Sequence, residues 1–417
     1  MGELSLEHFG APRPACLALF ETLQKAAHRV TTAFGVSETV YGGWVRALAL
    51  LLPLMGIGQG NGIGPILWVC ISSIMFTLMR RKGHGAKFRA ATSKKVVETV
   101  GAAYVDDSDL ITTAPTVETK AEEITEAFQT MLDDWEGYLK ATGGAIEAEK
   151  SFFYSIDHVW KKDKWFYKKN AELQADVDII DPDNVRSPLK RREPNKAEKT
   201  LGFYMTADGT QKEQIQYLTS QVEEFSSEAR YGELSKTEFW LAAETTLMKQ
   251  LEYAYPASTI SEKAWGEILK PLHKYWLPRT GVASKFPHDV LYGPTCLQGL
   301  GLMHPYYHQE LKHIEIVLQH VNQDTETGKI IEVAYDNLRL ELGVPGPITQ
   351  QSFQLLGKST TDTWIHSWWK FGSRFGIMVN DTGPDLKKAR ANDVFLREAF
   401  AAIPNISADD LYLLNTC

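Results

Sequence analysis

The chain has 417 residues, 44% of them hydrophobic and 23% charged, with a formal net charge of -8. That length exceeds one ordinary core and predicts two or three packed units, and the composition excludes a disordered chain. The acidic balance does not favour a general nucleic-acid binder, so the distribution of charge has to carry any such function.

The four cysteines, Cys16, Cys70, Cys296 and Cys417, make no Cys-x-x-Cys pair, which fits a reducing compartment and argues against structural zinc. Met1 to Pro14 lacks the basic segment and apolar run of a signal peptide. The expected location is intracellular, nuclear or cytoplasmic.

From the N-terminus, Pro14 to Phe34 reads as an amphipathic helix with Leu17, Phe20, Leu23 and Val30 inward. Ala47 to Met79 carries no charged side chain, yet Pro53 and a glycine run divide it into pieces shorter than the roughly 20 apolar residues a spanning helix needs. A buried helix from Ile63 to Met79 is expected, and no membrane.

The glycines at 56, 58, 60, 62 and 64 miss the spacing of a dinucleotide fingerprint. They free the backbone for close approach by a base pair or template strand, with Gln59 and Asn61 as hydrogen-bonding groups. A flexible loop before a core helix stays open as the plainer reading.

Basic residues gather at Arg80, Arg81, Lys82, Lys87, Arg89, Lys94 and Lys95, from Lys161 to Lys169, and at Lys190, Arg191, Arg192, Lys196 and Lys199. Such clusters can line a phosphate track or be solvated loops.

Thr99 to Val105 reads as a buried strand and Leu110 to Thr112 as its return, with Asp106 and Asp107 at the tip. Two adjacent acids repel unless a cation sits between them. Hard oxygen donors suit Mg²⁺, so the pair points to metal-assisted phosphoryl transfer, against the alternative of a solvated turn.

Pro115 to Ala141 is predicted as a helix ending at Gly143-Gly144, with Ile124, Phe128, Met131, Leu132, Trp135 and Leu139 on its apolar face. Lys150 opens an alternating strand from Ser151 to Trp160, and Asn170 to Lys199 reads as an exposed insertion with one short strand at Val177–Ile180. Leu201 to Thr206 is expected as a strand turning at Ala207-Asp208-Gly209.

Helices follow at Gln211–Ala229, Ser235–Tyr253 and Thr259–Leu277, with capping boxes at Ser235–Glu238 and Thr259–Glu262. His304, His308 and His313 raise a metal site only weakly. The helical spacing of Trp364, Trp368, Trp369, Phe371 and Phe375 favours core packing over base stacking.

Four blocks stand in a telling order: Gly56 to Pro65, Tyr104-Val105-Asp106-Asp107, Gly143 to Lys150, and Thr200 to Met205. This order and spacing resembles reverse transcriptases of non-LTR retroelements, with motifs B, C, D and E of the palm at Gln59-Gly60, Tyr104–Asp107, Lys150 and Leu201-Gly202.

The resemblance implies an α+β fold. It comprises a right-hand polymerase palm of antiparallel sheet packed on helices over residues 1–210, a helical thumb over 211–290 and a helical C-terminal region over 291–417. It implies RNA-directed DNA synthesis, with an RNA template, a DNA primer and deoxynucleoside triphosphates as partners. Two Mg²⁺ ions would be held by Asp106 as primary ligand and Asp107 as accessory acid.

On the same resemblance, Lys150 would protonate the departing pyrophosphate or steady the triphosphate. Gln59, Gly60, Asn61, Tyr104, Leu201 and Gly202 would contact substrate or template-primer. The family's motif A acid should precede motif B, but the first Asp of this chain is Asp106. The expectation is therefore an N-terminally truncated polymerase, lacking fingers and motif A, whose activity alone falls by orders of magnitude. The alternative is a non-catalytic remnant that binds nucleic acid or a partner protein.

Overall fold

The computed structural model describes residues 2–25, 29, 31–32, 35–36, 38, 64–90, 93–105, 107–116, 118–173, 176–180, 185–321, 323–344, 346–360, 363–379, 394 and 403. Mixed helix and short strands make the fold α+β. It divides into two compact units, Met1–Lys87 with Glu98–Pro194, and Phe88–Val97 with Asn195–Cys417. No helix of the described residues is long and apolar enough to cross a membrane.

The first unit opens with α1 (Gly2–His8) and α2 (Arg13–Lys25), which pack on each other, and α1 also lies on α3 (Gly64–Arg81). On α2, against expectation, Leu17 is exposed and Cys16 is buried instead, while Phe20 and Leu23 are half-buried as expected, and Val30 lies outside the described residues. A two-residue ladder joins β1 (Thr31–Thr32) to β2 (Gly35–Val36). Helix α3 takes up the end of the uncharged stretch and closes on Arg80 and Arg81, with Leu67, Met75 and Met79 buried.

Two hairpins follow: β3 (Ala86–Arg89) with β4 (Val96–Thr99), and β5 (Gly101–Tyr104) with β6 (Asp107–Leu110). Next comes α4 (Ala121–Thr142), around which the first unit is built. Its face of Met131 and Trp135 packs with Met75, Met79 and Val100, while Leu132 packs with Phe153, Val177, Ile179 and Leu189. Leu110 of β6 and Phe128 of α4 border both clusters.

Helix α4 starts later than its apolar period suggests because Thr116 and Thr119 bond to each other and to each other's backbone, competing with helix formation. Its C-terminus follows expectation. Gly143 takes φ 87°, its N–H donates to the Lys140 carbonyl, and the Gly144 N–H donates to Leu139, which is a Schellman close.

The strand expected from Ser151 to Trp160 is interrupted. It forms β7 (Phe152–Tyr154) and β8 (His158–Lys161), and β8 pairs with β9 (Lys164–Tyr167). Asp157 breaks the run: its carboxylate accepts from the His158 N–H at 2.7 Å and pairs with Lys168, whose N–H donates to the Asp157 carbonyl.

The segment expected as an exposed insertion keeps the short strand expected of it and leaves most of its described residues exposed or half-buried, but three of its apolar side chains join the core. It supplies β10 (Asp178–Ile180) and β11 (Arg186–Pro188) as an antiparallel pair and β12 (Lys190–Arg192) parallel to β7. Val177, Ile179 and Leu189 supply the apolar surface that holds it on α4.

The second unit begins with β13 (Glu198–Thr200) and β14 (Phe203–Met205), whose register leaves Leu201-Gly202 as a two-residue turn. Here the sequence reading needs correction: Leu201 and Gly202 take φ 51° and 81°, the turn that suits a right-twisted hairpin, rather than opening a strand.

Helices α5 (Lys212–Tyr231), α6 (Lys236–Ala242), α7 (Met248–Glu252), α8 (Glu262–Pro271), α9 (His288–Leu291), α10 (Pro305–His320), α11 (Glu326–Leu342), α12 (Phe353–Leu356) and α13 (Trp364–Phe375) follow. One continuous apolar core runs through them, from Phe203 to Val379. Ser235 and Glu238 close their capping box at α6, and α6 passes into α7 through a π turn at Ala243–Leu247.

At α8 the N-cap is Ser261, which accepts from the Ala264 N–H at 3.3 Å, and not Thr259, whose own N–H donates to Gln211. A second π turn, Leu272–Trp276, follows Pro271, where the missing N–H interrupts the helix ladder. Trp368, Trp369 and Phe371 are core residues, as their spacing predicts, while Phe375 is exposed. Residues 88–97 belong to this unit: Ala90 and Val97 pack on Val333, and the Ser93 N–H donates to Asp336 at 3.0 Å.

Candidate functional site

The acid hairpin is built from its base upward. Gly101 pairs with Leu110, Ala102 with Asp109, Ala103 with Ser108 and Tyr104 with Asp107. Burial alternates along both strands. Gly101, Ala103, Ser108 and Leu110 face inward, while Ala102, Tyr104, Asp107 and Asp109 face out, as the pleat requires. Gly101 cannot be replaced freely, because a Cβ there would lie 1.9 Å from the Asp109 carbonyl oxygen. The Ile111 N–H donates to the Val100 carbonyl at 2.9 Å and ties the base to a buried residue.

The ladder ends at the Tyr104–Asp107 pair, and next to it Val105 takes φ 54°. A β-branched residue in the left-handed region is strained, typically by 1–2 kcal/mol. Val105 is 59% exposed and Tyr104 65%, so no burial of either side chain offsets that strain. Asp106 lies outside the described residues, as do Gln59, Gly60 and Asn61.

The structure brings Tyr104 and Asp107 together as a cross-strand pair and adds a carboxylate that the motif reading passes over. Asp109 lies two residues beyond Asp107 on the same face of β6. Partial withdrawal from water, and then the neighbouring charge of Asp107, push the Asp109 carboxyl above the usual carboxylate range. The signal was in the sequence, since Asp107-x-Asp109 on a strand has period two.

Lys150 is exposed at the end of a 3-10 turn, Ala148–Lys150, rather than at a strand start, and it makes no ion pair among the described residues. Leu201 and Gly202 belong to the second unit. There the Tyr253 hydroxyl donates to the Leu201 carbonyl, and Gln214, almost wholly buried, accepts from the Tyr204 N–H at 2.9 Å.

The basic clusters are partly neutralised. Lys82 and His84 share Asp134, Lys87 pairs with Glu98 at 2.8 Å, and Lys95 with Glu332 at 2.6 Å. Arg191 bonds Asp176 at 2.8 Å, donates to the Leu173 carbonyl, and stacks over Phe153. These cations hold the fold rather than stand ready for phosphates.

Among the described residues no group of three His, Cys, Asp or Glu side chains converges in a way that could hold a metal ion. Two of the three histidines considered for one are engaged otherwise: His304 caps α10, and His313, fully buried, shares a 3.0 Å hydrogen bond with the Tyr255 carbonyl. Comparison with protein-family models and with curated proteins finds no match for the chain.

Proposed function

We propose that this is a reverse transcriptase-like protein of a non-LTR retroelement, whose catalytic form copies RNA into DNA by phosphoryl transfer at the β5–β6 hairpin. One observation supports this reading above the others: Val105 is held at φ 54° between the paired strands, and beside it Tyr104 and the acid Asp107 are left exposed at the end of the ladder. A turn with only a structural role is built more cheaply from Asn-Gly or Asp-Gly, and strain kept at an exposed tip is characteristic of functional sites.

The donors are hard carboxylate oxygens, the set Mg²⁺ takes. Asp106 and Asp107 would hold the metal, which when bound neutralises charge on the phosphates. Asp109, on the same face, adds negative potential behind Asp107. Tyr104, exposed across from Asp107, would pack against the primer end, and Gln59, Gly60 and Asn61 would line the template strand. Lys150 would supply a proton to pyrophosphate.

The test is primer extension on an RNA template with Mg²⁺ and deoxynucleotides, comparing the chain with its Asp106→Asn variant. Product that disappears in the variant supports the proposal. Binding of primer-template with no product from either protein supports instead a non-catalytic nucleic-acid-binding role, and absence of both refutes the proposal.

A further inference from the structure

The β8–β9 hairpin pairs with no third strand among the described residues. Its register sets His158 opposite Tyr167 and Trp160 opposite Trp165 on one face, with Val159 opposite Phe166 and Lys161 opposite Lys164 on the other. The Trp160 and Trp165 rings meet edge to face, with centroids 5.1 Å apart. Such a pair helps hold a hairpin together, by about 1 kcal/mol.

Cohesion alone does not account for what is left in water. Trp160 is 52% exposed and Trp165 66%, and Tyr167 is exposed beside them on the same face. Contiguous aromatic surface of this kind marks an interaction site.

The charges say which kind. Lys162 and Asp163 form the turn, with φ 52° and 58°, and Lys161 and Lys164 face each other across it. Like charges directly opposed destabilise a ladder unless something anionic compensates. Glu172 compensates Lys161 at 2.9 Å. Lys162 and Lys164 have no ion-pair partner among the described residues, and the tip carries a single acid, Asp163. Exposed rings on one face, with uncompensated cations at the turn (Lys162) and at the adjoining end of the opposite face (Lys164), match a polymer of planar bases and phosphates. A duplex hides its base faces, so the match is to a single strand.

We infer that the β8–β9 hairpin is a docking arm for single-stranded RNA, with bases stacking on Trp160 and Trp165 and phosphates meeting Lys162 and Lys164. The choice of RNA rests on the function proposed above. The stacking-and-charge site stands apart from the acid hairpin and does not depend on catalysis.

The experiment is fluorescence anisotropy of a fluorescein-labelled oligouridylate, 20 nucleotides long by design, titrated with the full chain over a range of salt concentrations. Removing both rings in Trp160→Ala/Trp165→Ala should weaken binding by roughly ten-fold or more. Lys162→Ala/Lys164→Ala should lower the salt slope by about 1.4, close to 0.7 for each phosphate left without its lysine. Trp165→Phe, which keeps a stacking ring and spares the hairpin, should bind within about three-fold of the parent.

Alanine variants that bind as the parent does, or a parent that does not bind, overturn the inference. Tighter binding of an oligothymidylate overturns the assignment to RNA. Loss of self-association in the Trp160→Ala/Trp165→Ala variant with RNA binding intact makes the arm a protein interface and also overturns it. Because the assay reads binding to an unextended strand, failure of primer extension leaves its result standing.

Discussion

Lowering the pH should destabilise the second unit through two half-buried histidines. His304 accepts from the Tyr306 N–H at 3.2 Å and so caps α10, a role that needs its Nδ1 unprotonated. Burial, with His288 and His308 nearby and against the pull of Glu262, lowers its pKa from 6.5 to about 4. His273, hydrogen-bonded to the Tyr292 hydroxyl at 2.6 Å, falls likewise to about 4 through burial and then the charges of His288 and His304.

Both folded values lie below the unfolded one. The unfolded chain therefore takes up protons first, and stability is fully present above 6.5 and is lost as the pH falls toward 4. At pH 5 the linkage amounts to about 2 kcal/mol for each histidine. Their mutual repulsion enters both values and neither ring is wholly dry, so about 2 kcal/mol in total is the figure to test.

Urea unfolding followed by near-ultraviolet circular dichroism, which reports the buried Trp265, Trp276, Trp368 and Trp369, should show a midpoint about 1 M lower at pH 5 than at pH 7.5. His304→Asn keeps a capping side chain but cannot titrate. It should halve the pH dependence and leave stability at pH 7.5 within about 1 kcal/mol. An unchanged pH dependence in that variant refutes the reasoning.

Gly101→Ala should cost more than about 2 kcal/mol, because its Cβ would meet the Asp109 carbonyl at 1.9 Å; a thermal melt within experimental error of the parent would refute the register. Val105→Gly should stabilise the fold by about 0.5 kcal/mol, the relief of left-handed strain slightly exceeding the entropy glycine adds to the unfolded chain. Destabilisation in that melt would show that Val105 makes a contact its exposure does not suggest.

Desolvation raises the Asp134 pKa, but the hydrogen bonds from Lys82 and His84 outweigh it and leave the carboxyl below its usual range. Asp134→Asn should therefore cost about 0.5–1 kcal/mol at pH 7. The difference from the parent should shrink as the pH falls through the folded pKa, and an equal gap at pH 3 in denaturant titrations would contradict the assignment.

Strictly local signals read well in the sequence. Gly143 ends α4 and the Ser235–Glu238 box opens α6, because each depends on residues within a few positions of one another. The acid hairpin matches only in outline: its first strand is half exposed rather than buried, and its return is Asp107–Leu110 rather than Leu110–Thr112, so Asp107 stands in the ladder opposite Tyr104. Readings that depend on distant partners fared differently. The segment around Val177, Ile179 and Leu189 looks like a charged loop until α4 offers it a surface. Leu201-Gly202 looks like a strand start until the register of β13 and β14 makes it a turn. Asp157 ends a run of alternating aromatics through a pairing with Lys168 eleven residues on, which periodicity cannot register.

The acid hairpin and the aromatic hairpin solve one mechanical problem in different ways. A two-stranded ribbon is marginal in water unless something else holds it. β5 and β6 are held at the base, where Leu110 borders both clusters around α4 and Ile111 bonds to buried Val100. That anchoring lets the tip sustain a strained Val105 and repelling carboxylates at Asp107 and Asp109. β8 and β9 have a weaker base, the Asp157–Lys168 pair, and draw cohesion from cross-strand rings along their length. Rigid anchoring suits carboxylates whose spacing decides whether a metal is held. A ribbon held by its own side chains can flex to follow a strand, so the two modes of support follow the two tasks proposed for them.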